Sequence, residues 1–118
     1  MARDLNATLM DLLGISGVTA AAITSRDGFI IECVSETDID LEAIGAVIAS
    51  GFGASEVMGS ELILGYLNQC ILEYDTNKIL MASINDYILA VITEGNAMIG
   101  QIRYNIQKSV KEIAKFLS

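Results

Sequence analysis

The sequence contains no histidine, no proline and no tryptophan, and its 7 basic residues are outnumbered by 15 acidic ones. Without histidine the chain lacks the commonest transition-metal ligand and the usual general base at neutral pH. A Ser-His-Asp triad is therefore excluded. The net charge of −8 disfavours nucleic acids and anionic membranes as main partners, because both are bound through basic patches.

Cysteine is also scarce, since only Cys33 and Cys70 are present. They do not form a Cys-x-x-Cys motif, so they predict neither a zinc site nor a redox pair. They are typical of small buried residues in a reducing cytoplasm, where we expect the protein to be. A nucleophilic role for Cys33 is disfavoured, because no histidine is available to activate it. No cofactor is expected.

Long apolar runs are missing too. No uninterrupted run approaches the roughly 20 residues of a membrane-spanning helix, so no membrane insertion is expected. The first residues mix charges into an apolar pattern, which is not typical of a signal peptide. With 118 residues, 53% of them hydrophobic, the chain is predicted to form one globular domain spanning residues 1–118.

What the sequence does contain is an unusual helix between Asp40 and Leu64. One face carries residues at helical spacing: Leu41, Ile44, Ile48, Phe52, Ser55, Gly59 and Leu62. An ordinary surface helix would place charges opposite them, but here the opposite face is also uncharged: Ala43, Ala46, Val47, Ser50, Gly53, Ala54 and Val57. This pattern indicates a helix that packs on its own sheet with one side and on a partner with the other. The alternative is a helix fully buried inside a monomer.

The segments around this helix predict two shorter helices and five strands. A short amphipathic helix opens the chain and ends at Gly14. A hairpin turning at Asp27-Gly28 joins the strands Val18–Ser25 and Phe29–Val34, with Phe29, Ile31 and Cys33 expected on one face. Tight turns join three later strands, which must therefore be antiparallel: Gln69–Asp75, Lys78–Ile84 and Tyr87–Thr93. A final helix is expected from about Asn96 to Leu117.

This order of elements predicts an α/β (α+β) fold, in which a five-stranded antiparallel sheet has one long helix on one face and two terminal helices on the other. The strand Tyr87–Thr93 is apolar at nearly every position, so we expect it to be central and covered on both faces. The acidic residues before the long helix could bind a cation, but they are interpreted as helix-capping residues: Glu36, Asp38, Asp40 and Glu42.

In its motifs and their order, the chain resembles the Roadblock/dynein light chain family over essentially its whole length. The resemblance is carried by Gly17-Val18 before the first strand, by the hairpin motif from Ser25 to Gly28, by the small-residue central helix and by residues 96–103 at the start of the last helix. It implies a non-catalytic homo- or heterodimer that binds a Ras-like small GTPase or serves in motor and signalling scaffolds.

The resemblance also implies where partners bind. In dimers of this kind the strand after the long helix pairs with the same strand of the partner subunit, and the two long helices lie side by side as a platform for the GTPase. It therefore implies a homodimer interface at Val47, Gln69, Cys70, Ile71, Leu72, Glu73 and Tyr74. The residues implied for the platform are Ala46, Ser50, Gly53, Ala54 and Val57, here called the platform row.

Three functions remain open from the sequence. The first is a dimeric platform that binds and regulates a Ras-like small GTPase, and the second is a structural adaptor or scaffold subunit without a nucleotide-dependent partner. The third is a ligand-sensing domain with a pocket between sheet and helices. The platform row has little side-chain entropy to lose on contact, and Glu42 and Glu56 could steer a basic partner towards it. The alternative is that the long helix of the partner subunit covers the platform row completely.

Overall fold

The computed structural model describes residues 4–117, which form three helices and one five-stranded antiparallel sheet. In chain order the elements are α1 (Leu5–Leu13), β1 (Val18–Ser25), β2 (Ile30–Ser35), α2 (Leu41–Glu61), β3 (Gln69–Glu73), β4 (Asn77–Ile84), β5 (Tyr87–Glu94) and α3 (Ile99–Leu117). The strand order across the sheet is β2-β1-β5-β4-β3.

The sheet is covered on both faces, as the sequence predicted. α1 and α3 pack on one face, where Leu9, Leu12, Ile102 and Ile106 join a large core cluster. α2 packs on the other face in a smaller cluster, built from Ile48 and Phe52 against Met81, Ile88 and Ala90. The predicted fold class is therefore confirmed.

The central position of β5 is confirmed as well. It pairs with β1 on one side and with β4 on the other. Leu89 and Val91 belong to the cluster under α1 and α3, whereas Ile88 and Ala90 belong to the cluster under α2. Both sets of side chains are buried, so a strand in the middle of this sheet needs apolar residues at consecutive positions, as β5 has.

The β1–β2 hairpin turns where the Asp-Gly pair predicted it. Gly28 has a φ of +94°, which suits glycine, and the Ser25 N–H donates to the Phe29 carbonyl at 2.9 Å. The pairing of β1 with β2 shifts register so that Ile31 has no partner, which makes it the extra residue of a bulge. The predicted shared face of Phe29, Ile31 and Cys33 is therefore wrong, because the bulge interrupts the alternation.

α2 lies against this hairpin through two glycines. A Cβ atom built on Gly45 would collide with the carbonyl oxygen of Gly28, so the helix approaches the turn more closely than alanine would allow. At the start of the helix, the Asp40 carboxylate accepts a hydrogen bond from the Ala43 N–H at 3.2 Å. This confirms the capping interpretation of Asp40. Within residues 4–117 no group of three or more Cys, Asp or Glu side chains could hold a metal ion.

The ends of the helices differ from the sequence prediction. α2 stops at Glu61, and the side chains of Leu41 and Leu62 are exposed instead of facing the sheet. Along α2 the buried residues are Gly45, Ile48 and Phe52, all in its first twelve residues, so the C-terminal part of the helix has no buried side chain. α3 begins at Ile99, three residues after the predicted start.

α2 is also long and apolar enough to cross a membrane, judged by length and composition alone, and it is the one helix in residues 4–117 of which this is true. The helix contains no long uninterrupted apolar run, because serines and glycines interrupt its apolar residues. In the structure the helix packs on the sheet through Ile48 and Phe52. This packing accounts for one of its two apolar sides and leaves the other exposed.

Candidate partner-binding surface

The outer side of α2 is an exposed surface with little charge. Ala46, Ser50 and Ala54 are exposed, and Gly53 between them is half-buried. Val57 exposes 60% of its surface, and Val47, which is predicted for the dimer interface, exposes 62% beside the row. The platform row therefore lies together on the side of the helix away from Ile48 and Phe52. An apolar face of this kind is typical of a protein-binding site.

One arginine holds α2 in place on the sheet. Arg26, in the turn after β1, donates through Nη1 to the Glu56 carboxylate on α2. Its Nη2 donates to the Ser83 hydroxyl at 3.1 Å and to the Asn85 carbonyl at 3.0 Å. The guanidinium carbon also lies 5.3 Å from the centre of the Phe52 ring, within range of a cation–π contact. A single side chain thus connects the hairpin turn, α2 and the turn between β4 and β5.

This network changes the role expected for Glu56. The sequence suggested that Glu42 and Glu56 steer a basic partner, but Glu56 already neutralises Arg26. Glu42 is exposed in the first turn of α2, two residues after the capping residue Asp40. Of the two predicted steering groups, Glu42 is therefore the one whose position suits that role.

The C-terminal end of α2 carries exposed apolar side chains that the sequence analysis did not assign to any site. Met58, Leu62, Ile63, Leu64 and Tyr66 are all exposed, Ile63 by 90% and Tyr66 by 97%. The signal that could have identified them is the run of three large aliphatic residues, 62–64, at a helix end where polar residues are usual. They extend the exposed surface of α2 beyond the platform row.

The helix ends in a strained turn. The Leu64 N–H donates to the Gly59 carbonyl at 2.8 Å and the Ile63 N–H to the Ser60 carbonyl at 3.2 Å, the two hydrogen bonds of a Schellman motif. Ile63 therefore takes the left-handed position, with a φ of +56°. Glycine usually occupies this position, and a β-branched residue there is strained. The strain presents an apolar side chain almost entirely to solvent, a combination that points to contact with a partner.

In the described part of the chain, residues 4–117, β3 forms one edge of the sheet and pairs with β4 alone. Among the residues predicted for the dimer interface, Gln69 and Cys70 are half-buried, whereas Ile71, Leu72, Glu73 and Tyr74 are exposed. An exposed edge with apolar side chains is a template for pairing with another strand. The dimer interface stays a prediction. Six of its residues lie in or directly after β3, whereas Val47 lies on α2 and is exposed there.

The cysteines lie in environments that keep their thiols neutral. Burial raises the pKa of the Cys70 thiol, although a backbone hydrogen bond at Met81 acts in the opposite direction. Burial also raises the pKa of Cys33, and the neighbouring Glu32 carboxylate adds to the increase. Because the thiolate is the reactive form, neither residue is activated as a nucleophile.

Comparison with known proteins agrees with this architecture. The family model described as the Roadblock/LC7 domain matches residues 5–93. Among individual sequences, the uncharacterized protein MJ1340 of Methanocaldococcus jannaschii is 28% identical over 109 residues, which cover 92% of this chain and 96% of that protein.

Two solved structures have closely similar backbones. A Roadblock/LC7 domain from Streptomyces avermitilis superposes with a TM-score of 0.89 at 19% identity, covering 98% of each chain. MglB from Myxococcus xanthus superposes with a TM-score of 0.89 at 18% identity, covering 95% of this chain and 93% of that one. At this level of identity the two structures establish a common fold.

Proposed function

Because the chain belongs to the Roadblock/LC7 domain family, we propose that it is a non-catalytic, dimeric platform that binds and regulates a Ras-like small GTPase in the cytoplasm. Proteins of this family are generally non-catalytic regulators or adaptors. The observation that carries the proposal is the exposed outer face of α2, whose centre at Ala46, Ser50 and Ala54 is small and uncharged.

The chemistry of the platform row supports contact with a protein better than binding of a small molecule. Its side chains are short, so they lose little conformational entropy when a partner covers them. The row offers neither a charged group nor a cavity for a nucleotide. In the proposed mechanism the platform contributes shape and position, holding the switch loops of the GTPase, while the GTPase supplies the nucleotide site.

Homodimerisation is part of the proposal. Two copies joined along β3 would place two α2 helices side by side and double the platform. A monomer would leave both the β3 edge and the apolar residues 62–64 in water, which promotes aggregation. Pairing along β3 with packing between helices is compatible with a stable interface, which typically buries about 1,600 Å² in total.

The experiment compares the wild-type protein with Ser50→Arg and Ala54→Arg variants. Tagged protein is used to capture partners from extracts of the source cells, and each captured protein is examined for a phosphate-binding P-loop sequence. A captured GTPase is then purified, loaded with GDP or a GTP analogue, and titrated against wild type and variants. We expect both variants to stay folded and dimeric and to lose GTPase binding, because a long charged side chain obstructs close approach.

Other outcomes would redirect or reject the proposal. If the specific partner lacks a P-loop, the protein is a structural adaptor and the GTPase function is rejected. If the arginine variants dissociate into monomers, the platform row belongs to the dimer interface. If they keep every partner at unchanged affinity, α2 is not the binding platform.

A further inference from the structure

A second accessible surface lies on the face of the sheet opposite α2. An open groove of about 770 Å³ runs between α3 and the segment that leads into β3. One wall of the groove is the segment Tyr66–Gln69, and the other wall is formed by α3. Three polar side chains of α3 line it: Arg103, Gln107 and Lys111. Ala82 of β4 and Val110 of α3 contribute apolar surface.

The groove is basic, although the protein is strongly acidic. None of the 15 acidic residues lines it, whereas two of the 7 basic residues do. Arg103 and Lys111 are exposed, and within residues 4–117 neither side chain forms an ion pair or a hydrogen bond. α3 contains one acidic residue, Glu112, which accepts a hydrogen bond from the Thr8 hydroxyl on α1 at 3.1 Å. Within residues 4–117, the positive charge of the groove is therefore not neutralised by an acidic side chain.

Amide side chains also line the groove, and one of them is Gln69. The Oε1 atom of Gln69 is buried and accepts no hydrogen bond from residues 4–117. Because this atom has almost no accessible surface, a chain bound in the groove could reach it only after the Gln69 side chain rotates, so it does not by itself indicate a ligand. Asn68 and Gln107 add two further amide side chains along the same groove. Amides of this kind recognise a peptide backbone, because they can both donate and accept hydrogen bonds.

We propose that this groove binds an acidic, extended peptide segment of a partner protein. Arg103 and Lys111 are eight residues apart on α3, about 12 Å along the helix axis at about 1.5 Å per residue. An extended peptide advances about 3.3 Å per residue and places every second side chain on the same side. Glutamates four residues apart in the peptide would therefore match the two cations.

Charge and shape together favour this occupant over the alternatives. A flat bilayer surface cannot enter a groove, and the net charge of −8 opposes binding of a long nucleic acid. A second copy of this chain offers the exposed acidic segment at residues 36–40 as a competing occupant, so the experiment must separate the two. The proposal does not depend on the GTPase function, because its two cations lie on α3, on the face of the sheet opposite α2. The other wall includes Tyr66, next to the exposed end of α2, and Gln69, on the predicted dimer edge.

The experiment measures fluorescence anisotropy of a labelled serine- and threonine-rich peptide with glutamate at every fourth position. A matched peptide with glutamine in place of glutamate is the control ligand. The test protein carries Arg103→Gln and Lys111→Gln together, and the control protein carries Lys108→Gln. Lys108 lies on the same helix but does not line the groove, and its ammonium sits over the Tyr104 ring at 5.7 Å.

We expect the wild type to bind the glutamate peptide with an affinity that falls as salt is added. The double variant should weaken binding by about tenfold or more, and Lys108→Gln by less than about twofold. The Ala54→Arg variant should bind the peptide normally, which distinguishes failure of this proposal from failure of the GTPase function. Circular dichroism should report an unchanged fold for all variants, since the substituted side chains of the groove are exposed.

Four results would overturn the proposal. The first is no binding of the glutamate peptide, and the second is equal binding of the glutamine peptide. The third is an equal loss in the Lys108→Gln and double variants, which would indicate general attraction to α3. The fourth is a change in the sedimenting mass of the double variant without peptide, which would identify a second copy of this chain as the occupant.

Discussion

Arg26 and Glu56 form an ion pair that joins the β1–β2 turn to the C-terminal half of α2. α2 has only Gly45, Ile48 and Phe52 buried, so few apolar contacts fix it on the sheet. The ion pair supplies a directional contact at a point beyond these three residues. The orientation of the platform row therefore depends on Arg26 as well as on hydrophobic packing.

The first prediction concerns this ion pair. Glu56→Gln should lower the free energy of unfolding by about 0.5–1.5 kcal/mol, because Arg26 loses its charged acceptor. The effect is limited because the two side chains are 31% and 37% exposed and water screens the pair. Urea denaturation at fixed protein concentration measures it. Glu61→Gln removes an exposed carboxylate from the same helix and should change stability by less than about 0.5 kcal/mol; equal losses in the two variants would contradict the assigned role of Glu56.

The second prediction uses two glycines in the same helix. Gly45→Ala should destabilise the protein by about 1–3 kcal/mol, because the new methyl group would collide with the Gly28 carbonyl and push α2 away from the hairpin. Gly51→Ala should instead stabilise it by about 0.5–1 kcal/mol, because a Cβ there meets only open space and alanine favours the helix. Thermal denaturation of both variants should show shifts of opposite sign. A gain for Gly45→Ala would contradict the close packing of α2 on the hairpin.

The third prediction concerns the strained end of α2. Ile63→Gly should stabilise the isolated protein by about 1 kcal/mol, since glycine adopts the left-handed conformation without the penalty of a Cβ atom. Ile63→Ala removes most of the same side chain but keeps the Cβ atom, so it should give little of this gain. Chemical denaturation of the two variants separates relief of backbone strain from loss of exposed apolar surface. Equal stabilisation by both would mean that strain is not the cause.

Much of this fold could be predicted because each element has a local cause. The Asp27-Gly28 pair sets the hairpin turn, Asp40 caps α2, and consecutive apolar residues mark β5 as central. Each depends on residues near one another in the chain, so the pattern is visible in the sequence. The arrangement of helices on the sheet follows from the same patterns, whereas the family is identified by the resemblance of its motifs; both are confirmed.

The features that sequence reasoning missed depend on contacts between distant segments. The bulge at Ile31 appears only when β2 is aligned with β1, and the exposure of Leu62 appears only when α2 is placed on the sheet. The pairing of Arg26 with Glu56 spans 30 residues. The basic groove likewise combines α3 with the segment before β3. From the sequence alone, the basic residues of α3 indicate only a favourable interaction with the negative end of the helix dipole.

The last prediction concerns the dimer, which we expect to form along β3. Ile71 is exposed on this edge strand, and in a symmetric antiparallel pair the two copies of a central residue lie near each other. Ile71→Lys would therefore place like charges across the interface and should weaken dimerisation by about tenfold or more. Sedimentation equilibrium at micromolar concentration measures the effect.

The opposite edge of the sheet provides the matched control. Phe29 precedes the edge strand β2 and is also exposed, so Phe29→Lys introduces the same charge at the other edge of the sheet. We expect this variant to remain a dimer with unchanged affinity. Dissociation of the dimer by Phe29→Lys but not by Ile71→Lys would indicate that the interface lies at β2. A monomeric wild type would reject the dimer and leave β3 and the apolar residues after α2 free to bind a different protein.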